Sequence, residues 1–314
     1  MIKQELIFEG SSKMPYTLHG VIWLPDNKKV KKILQISHGM TEHIGRYEAL
    51  AELVTEDGVA VAGFDLRGHG KNEGDKTCAS FGEGGWKCVV EDIHIFYKML
   101  RAEFPETRHY MLGFSLGSFL LREYLSDYAN DQVDGVIIMG TGNQPAVVLS
   151  MLLFVIRGEI KKAGWDQTTP LVQNLSFGTY NKKFKPNRTS SDWLCADEAQ
   201  LDEYIADELC RKDISAGLFA DLLESMKRTG NKKACANWRK DFPVLILSGS
   251  EDPVGNMGKG VLDFYKQLKA NGMQQVRMEL FDGARHDLLH EEKSGTAARV
   301  REMLRVQCFP SRML

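Results

Sequence analysis

Between Lys31 and Gly142, short apolar runs alternate with segments whose apolar residues recur at helical spacing, and this rhythm restricts the chain to one class of fold. "KKILQISHG", "VAVAGFDLRGHG", "HYMLGFS" and "VDGVIIMGTG" are strand-like runs without strict alternation. "IGRYEALAELVTEDG", "WKCVVEDIHIFYKMLRAEFP" and "LGSFLLREYLSDYA" lie between them as helices. Ile44, Tyr47, Leu50, Ala51 and Val54 set the helical spacing of the first, which Gly58 can end; Pro105 stops the second. Strands apolar on both sides need helices over both sheet faces, which predicts a parallel, doubly wound sheet.

"ELIFEG" and "TLHGVIWLP" precede this unit as two strands joined by a turn containing Pro15. After Gly142 the rhythm breaks into helical patterns and polar connections such as "NKKFKPNRTSSDW". It resumes with "FPVLILSGSED" (strand), "GKGVLDFYKQLKANG" (helix), "QVRMELFD" (strand) and a C-terminal helix expected from about Glu291. The expected organisation is an α/β core of residues 1–142 and 239–314, with residues 143–238 inserted as a helical cap.

Composition removes several functions. The net charge is −2 and no basic block stands out, so no nucleic-acid partner is expected. The start "MIKQELIFEGSSK" lacks the apolar core of a secretory signal. The longest apolar stretch, "AVVLSMLLFVI", is too short to span a bilayer, so no transmembrane segment is expected. Cys78, Cys88, Cys195, Cys210, Cys235 and Cys308 are scattered without a C-x-x-C pair. They read as free thiols in a reducing, cytoplasmic setting, without structural zinc.

The stretch "YMLGFSLGS" ends a strand and begins a helix with Ser115 between two glycines. Taken alone, G-x-S-x-G is also what a plain small-residue turn looks like. Its setting gives it meaning. A sharp strand-to-helix turn lifts the serine hydroxyl above the sheet edge, and Gly113 and Gly117 remove side chains that would clash there. The helix N-terminus points amides at developing negative charge, and open parallel sheets bind ligands beyond the carboxyl ends of their strands.

A serine nucleophile needs a base, and the base needs an orienting carboxylate. Of eight histidines, His286 in "FDGARHDLLHEE" lies just past the last expected strand. His290 is its rival. Asp252 in "LILSGSEDPVG" follows the preceding strand and is the preferred acid over Glu251 and Asp282, although Asp-Pro is also a common structural turn. The oxyanion donors expected are the backbone N–H groups of Leu116 and of Met40, in the loop after "ILQISHG". "HGMTEH" invites a metal reading through His38, Glu42 and His43. Its spacing is one residue longer than the inverzincin pattern and it follows a strand, so no metal is expected.

These residues resemble the α/β-hydrolase superfamily, in particular its monoacylglycerol lipase and lysophospholipase-like branch with serine aminopeptidase-like relatives. "SHGMTEHIGRYEALAELVTEDGVAVAGFDLRGHGKNEG" looks like the branch's oxyanion loop and the unit that follows. "GFSLGS" looks like its elbow, "GSEDPVG" and "GARHDLLHE" like its acid and histidine loops. "YNKKFKPNRTSSDWLCADEAQLDEYIADELC" is similar to the cap of bacterial members. Phe114 departs from the histidine that many members carry before the serine; that position is not catalytic.

The resemblance implies a serine hydrolase of single-chain acyl esters, a small-molecule substrate such as monoacylglycerol or lysophospholipid, and no cofactor. Transient contact with a membrane surface is compatible with it. Met151, Leu218 and Phe219 are expected to line an acyl pocket. The stripe Ile214, Leu218, Phe219, Leu222 and Met226 equally suits packing of the cap onto the core. Two other readings stand beside the esterase. A serine aminopeptidase needs an acidic group for a free amino terminus, and Asp197, Asp202, Asp207 and Glu208 are available. A non-catalytic ligand-binding protein on the same fold has no need of a full Ser-Asp-His set.

Overall fold

The computed structural model describes residues 1–72, 78–210 and 213–307. Cys308 and parts of the quoted motifs around Gly74 therefore lie outside the described residues.

Among the described residues, eight strands form one sheet: β1 (Ile2–Glu9), β2 (Thr17–Leu24), β3 (Lys32–Ser37), β4 (Val59–Phe64), β5 (Arg108–Phe114), β6 (Gly135–Met139), β7 (Val244–Gly249) and β8 (Val276–Phe281). Their order is β1-β2-β4-β3-β5-β6-β7-β8. The β1–β2 and β2–β4 pairs are antiparallel, and every pair from β4 through β8 is parallel.

Side chains alternate between the two faces of each strand, and both faces are covered. Val136 and Ile138 of β6 enter one core cluster, Ile137 and Met139 the other. The first cluster is closed by α2 (Gly85–Glu103), α3 (Leu116–Asp127) and α8 (Lys259–Ala270), through Val89, Phe96, Leu120 and Phe264. The second is closed by α1 (Glu48–Thr55) and α9 (Thr296–Gln307), through Leu50, Val54, Val300 and Leu304. This is why the parallel strands read as unbroken apolar runs. The expected C-terminal helix begins later than Glu291: Leu288–His290 form a 3-10 turn, and Gly295 at φ +74° interrupts the path before Thr296.

Among the described residues, four α-helices lie between β6 and β7: α4 (Ala146–Ala163), α5 (Pro170–Gln173), α6 (Glu198–Ala206) and α7 (Ala216–Thr229). α7 packs on α3, and α4 packs on α7. Both ends of this block meet at the buried Arg122 of α3, which donates to Asn143 Oδ1 (2.7 Å) and to the Thr229 carbonyl (2.9 Å).

The chain leaves β3 for β4 on one side and returns past it to β5 on the other. The β3–β5 boundary is thus a switch point where the loops diverge and leave a crevice. Ser115 sits at its carboxyl edge.

Candidate active site

Ser115 is the single residue between β5 and α3 and adopts φ 50°, ψ −116°. A positive φ is strained for any residue with a Cβ, by about 1–3 kcal/mol. The turn is held by Ser115 N–H donating to the Met139 carbonyl (2.9 Å) and by Ser118 N–H donating to Ser115 O (2.9 Å). Its tightness explains the flanking glycines. A Cβ on Gly113 would lie 2.5 Å from Gly117 O, and one on Gly117 would lie 2.0 Å from Ser37 O. The loop after β3 therefore packs directly against the first turn of α3.

His286 hangs from the loop after β8, and Asp252 from the loop after β7. Both are buried. His286 Nε2 lies 2.8 Å from Ser115 Oγ, and His286 Nδ1 lies 2.9 Å from Asp252 Oδ2. An ionised carboxylate only accepts, so Nδ1 carries the proton and Nε2 is left to accept from the serine hydroxyl. Asp252 Oδ1 accepts from Val254 N–H (2.8 Å), which fixes the carboxylate. The rivals are engaged elsewhere: Asp282 accepts from Ser250, and His290 faces Asp287 and Arg46. Glu251 is exposed beside Asp252.

The Met40 and Leu116 amides have no protein acceptor among the described residues. Leu116 opens α3 directly after Ser115. Met40 follows Gly39, whose Cα abuts the Phe114 ring so closely that a Cβ would be 3.0 Å from it. Both amides thus belong to backbone that borders the Ser115 turn.

His38, Glu42 and His43 do not converge as metal ligands. His38 accepts from Leu66 N–H (2.8 Å) through Nε2 and donates to Gly39 O (2.7 Å) through Nδ1. Burial pushes its pKa down to about 3, so it is neutral. Glu42 turns to Gly39, Tyr47 and Arg46. A different group, His43, Asp207 and Cys210, brings its donor atoms within 4.8 Å of one another. Its donors are already engaged: His43 Nδ1 accepts from Gly45 and Nε2 pairs with Asp207 (2.8 Å), while burial keeps the Cys210 thiol protonated.

Aromatic residues close over the site; Phe114 is the residue singled out before the serine, whereas Trp193, Phe177 and Tyr180 were missed by sequence reasoning. Trp193 and Phe114 lie 5.2 and 4.9 Å from the His286 ring, and Phe177 stacks on Trp193 at 5.6 Å. Tyr180 packs on Trp193 at 5.1 Å; burial, reinforced by the Asp252 charge, pushes its phenol up to about 12. Beside Trp193 lies a cavity of about 320 Å³ whose lining includes Thr41, Phe177, Leu194, Tyr204 and Asp213. The expected pocket residues are placed otherwise. Leu218 and Phe219 are buried in the core cluster, and Met151 is 66% exposed on α4. A larger groove of about 880 Å³ runs between α4 and α7, but no residue of the Ser115 relay lines it.

A mostly parallel sheet with a serine at the β5–α3 elbow defines an α/β-hydrolase. The chain belongs to the Hydrolase_4 family, described as serine aminopeptidase S33, whose model matches residues 28–293. Rat (Rattus norvegicus) monoglyceride lipase is 24% identical over 279 residues, spanning 86% of this chain and 79% of that one. A monoglyceride lipase homolog of monkeypox virus is 27% identical over 264 residues, 83% of each. Among solved structures, a thermostable carboxyl esterase from Bacillus coagulans superposes with a TM-score of 0.84 at 23% identity over 97% of both chains. A soluble variant of monoglyceride lipase from Saccharomyces cerevisiae gives 0.70 at 15% identity, over 98% of this chain and 96% of that one. The family is thus shown by the match over residues 28–293, and the chain is similar along most of its length to proteins named as monoglyceride lipases.

Proposed function

We propose that this protein hydrolyses single-chain acyl esters, with monoacylglycerol or lysophospholipid as the substrate class, through an acyl-enzyme on Ser115. The observation that carries the reading is the Ser115–His286–Asp252 relay, at 2.8 and 2.9 Å. His286 Nε2 takes the hydroxyl proton as Ser115 Oγ attacks the ester carbonyl. Asp252 holds the imidazole and stabilises the cation that forms. The Met40 and Leu116 amides receive the oxyanion. Collapse breaks the ester C–O bond, and the alcohol leaves with the proton from His286. Water then attacks the acyl-enzyme by the same relay, releases the acid and restores Ser115. The chemistry calls for no cofactor.

Residues 143–238 act as a cap on the core of residues 1–142 and 239–314, and Trp193 supports this because it brings the inserted block onto His286. The relatives named for monoglyceride support the substrate class. The aminopeptidase reading loses most of its acids: Asp197 caps α6 and holds Lys293 N–H, Asp202 pairs with Arg188, and Asp207 pairs with His43.

Val147, Val148, Met151, Phe154 and Val155 are exposed along α4, and Arg157, Lys161 and Lys162 continue the same helix. No described helix is long and apolar enough to cross a membrane. This face supports transient contact with a lipid surface. Cys88, Cys195, Cys210 and Cys235 are buried thiols outside any disulfide, in keeping with a reducing, cytoplasmic setting.

The test pairs fluorophosphonate labelling of Ser115 with a panel of esters of graded chain length, run beside aminoacyl arylamides. Labelling with ester turnover is expected. Arylamide turnover without ester turnover overturns the reading in favour of a peptidase, and no labelling at all favours a non-catalytic binder.

A further inference from the structure

Arg46 stands between the two loops that the proposed mechanism must hold in register. Its Nε donates to Glu42 Oε2 (3.1 Å) and its Nη2 to Asp287 Oδ2 (2.8 Å). Glu42 Oε1 in turn accepts from Gly39 N–H (2.5 Å) and from the Tyr47 hydroxyl (2.9 Å). Asp287 follows His286 directly in the chain. The guanidinium also lies over the Tyr204 ring, 5.0 Å from its centroid. The Tyr204 hydroxyl bonds Thr41 at both Oγ1 (2.8 Å) and the carbonyl (3.1 Å). Residues on both sides of Met40 are therefore held by groups that Arg46 holds: Gly39 through Glu42, and Thr41 through Tyr204.

The network is nearly closed to water: the Arg46, Glu42 and Asp287 side chains are 9%, 5% and 4% exposed. In such surroundings a forked cation between two carboxylates fixes geometry more strongly than it does at a surface. Burial works against the Arg46 charge, but Asp287 and Glu42 outweigh it and hold the group protonated. Thr41 itself is held at φ 59°, a conformation that a loose loop would relax.

We infer that Arg46 is a positioning residue for the oxyanion-binding amide of Met40: through Glu42 and Tyr204 it fixes the loop around that amide, and through Asp287 it couples the loop to the segment bearing His286. The inference rests on the esterase reading above. It goes further by assigning work to a side chain that touches no reacting atom. Preorganised donors matter because they need no rearrangement as charge develops, so a loosened loop costs transition-state binding more than substrate binding.

The experiment compares Arg46→Met, Arg46→Lys and Tyr204→Phe with the parent protein. The readouts are kcat and KM on a soluble butyrate ester and the inhibition constant of a trifluoromethyl ketone, whose serine adduct places an oxyanion on the same amides. Arg46→Met is expected to lower kcat at least about tenfold with KM within about twofold, and to weaken the ketone by a similar factor. Arg46→Lys should recover part of both losses. Tyr204→Phe should lower kcat about threefold. If Arg46→Met does not fold, the lysine and phenylalanine variants decide. Unchanged kcat in folded variants overturns the inference, as does a fall in kcat with full ketone affinity, which marks a merely structural role. A parent whose Ser115 takes no fluorophosphonate sinks the esterase reading and this inference together. A labelled parent indifferent to Arg46 sinks the inference alone.

Discussion

Trp193 lies over the imidazole of His286 at 5.2 Å, and the segment bearing it is fastened to the histidine loop. Asp287 N–H donates to the Leu194 carbonyl (2.7 Å), Glu291 Oε1 accepts from Ala196 N–H and from Arg285 N–H (3.0 Å each), and Arg285 Nη1 donates to the Asp192 and Cys195 carbonyls. This part of the inserted block is a fixed wall beside His286, built together with the loop that carries it.

Trp193→Ala should act on both stability and catalysis. Removing a buried indole that packs on Phe177, Tyr180 and His286 costs about 3–5 kcal/mol. Opening the wall lets water reach the imidazole, and kcat/KM on acyl esters should fall about tenfold or more. Trp193→Phe should restore most of both. Thermal melts and ester kinetics on the two variants check this; an alanine variant with parental kcat/KM removes Trp193 from the site.

The relay makes a sharper demand. His286→Ala and Asp252→Asn should each lower kcat at least about 10³-fold, while His290→Ala, whose ring meets Asp287 and Arg46, should cost far less. Ser115→Gly should be inactive yet more stable than the parent by about 1 kcal/mol, because glycine relieves the strain at φ 50°. An inactive glycine variant that melts lower than the parent contradicts the strain argument.

Much of this is legible in the amino-acid sequence. Apolar runs without alternation point to strands covered on both faces, and Ser115, Asp252 and His286 each follow the carboxyl end of such a strand, β5, β7 and β8. What stayed hidden depends on contacts far apart in sequence. Trp193 is an ordinary aromatic in a polar stretch until Leu194 meets Asp287. "AVVLSMLLFVI" is apolar on every side, so its pattern does not tell the buried Leu149, Leu153 and Ile156 from the exposed Met151 and Phe154. The stripe through Leu218 reads alike for a pocket wall and for core packing, and Leu218 is fully buried in the core cluster. Glu291 stands where the sequence predicts the start of the C-terminal helix, but its carboxylate holds two loop amides instead.

Asp221 on α7 predicts an inverted pH dependence of stability. Its Oδ2 is buried without a partner, and burial, then the Glu224 charge, raise its pKa to about 7 from 3.8. The folded state therefore keeps a proton that the unfolded chain has already lost, and this group's contribution falls as pH rises from about 4 to 7, then levels off. Asp221→Asn should add on the order of 2 kcal/mol at pH 8 and almost nothing at pH 4. Denaturant titrations at the two pH values check the sign; equal shifts at both rule out the titration as the cause.

The exposed strip on α4 separates two uses of an apolar surface. Met151 and Phe154 are 66% and 81% exposed, so neither supports the core, whereas the fully buried Leu218 does. Leu218→Asp should therefore unfold the protein and report nothing about substrate. Met151→Asp and Phe154→Asp should leave the melting temperature and the turnover of a dissolved acetate ester unchanged. Arg157 of α4, with Lys227 and Lys233 across the neighbouring groove, adds attraction for anionic lipid. Each methylene that enters the lipid contributes about 0.8 kcal/mol, so losing two apolar side chains and gaining two charges should lower vesicle binding by more than tenfold. Sedimentation with phosphatidylglycerol vesicles, beside hydrolysis of monoacylglycerol carried in them, makes the comparison. A double variant that binds and hydrolyses as the parent does removes α4 from any role at a membrane. If the double variant loses medium-chain turnover on dissolved esters as well, the strip touches the acyl chain itself and belongs to the substrate path rather than to a lipid surface.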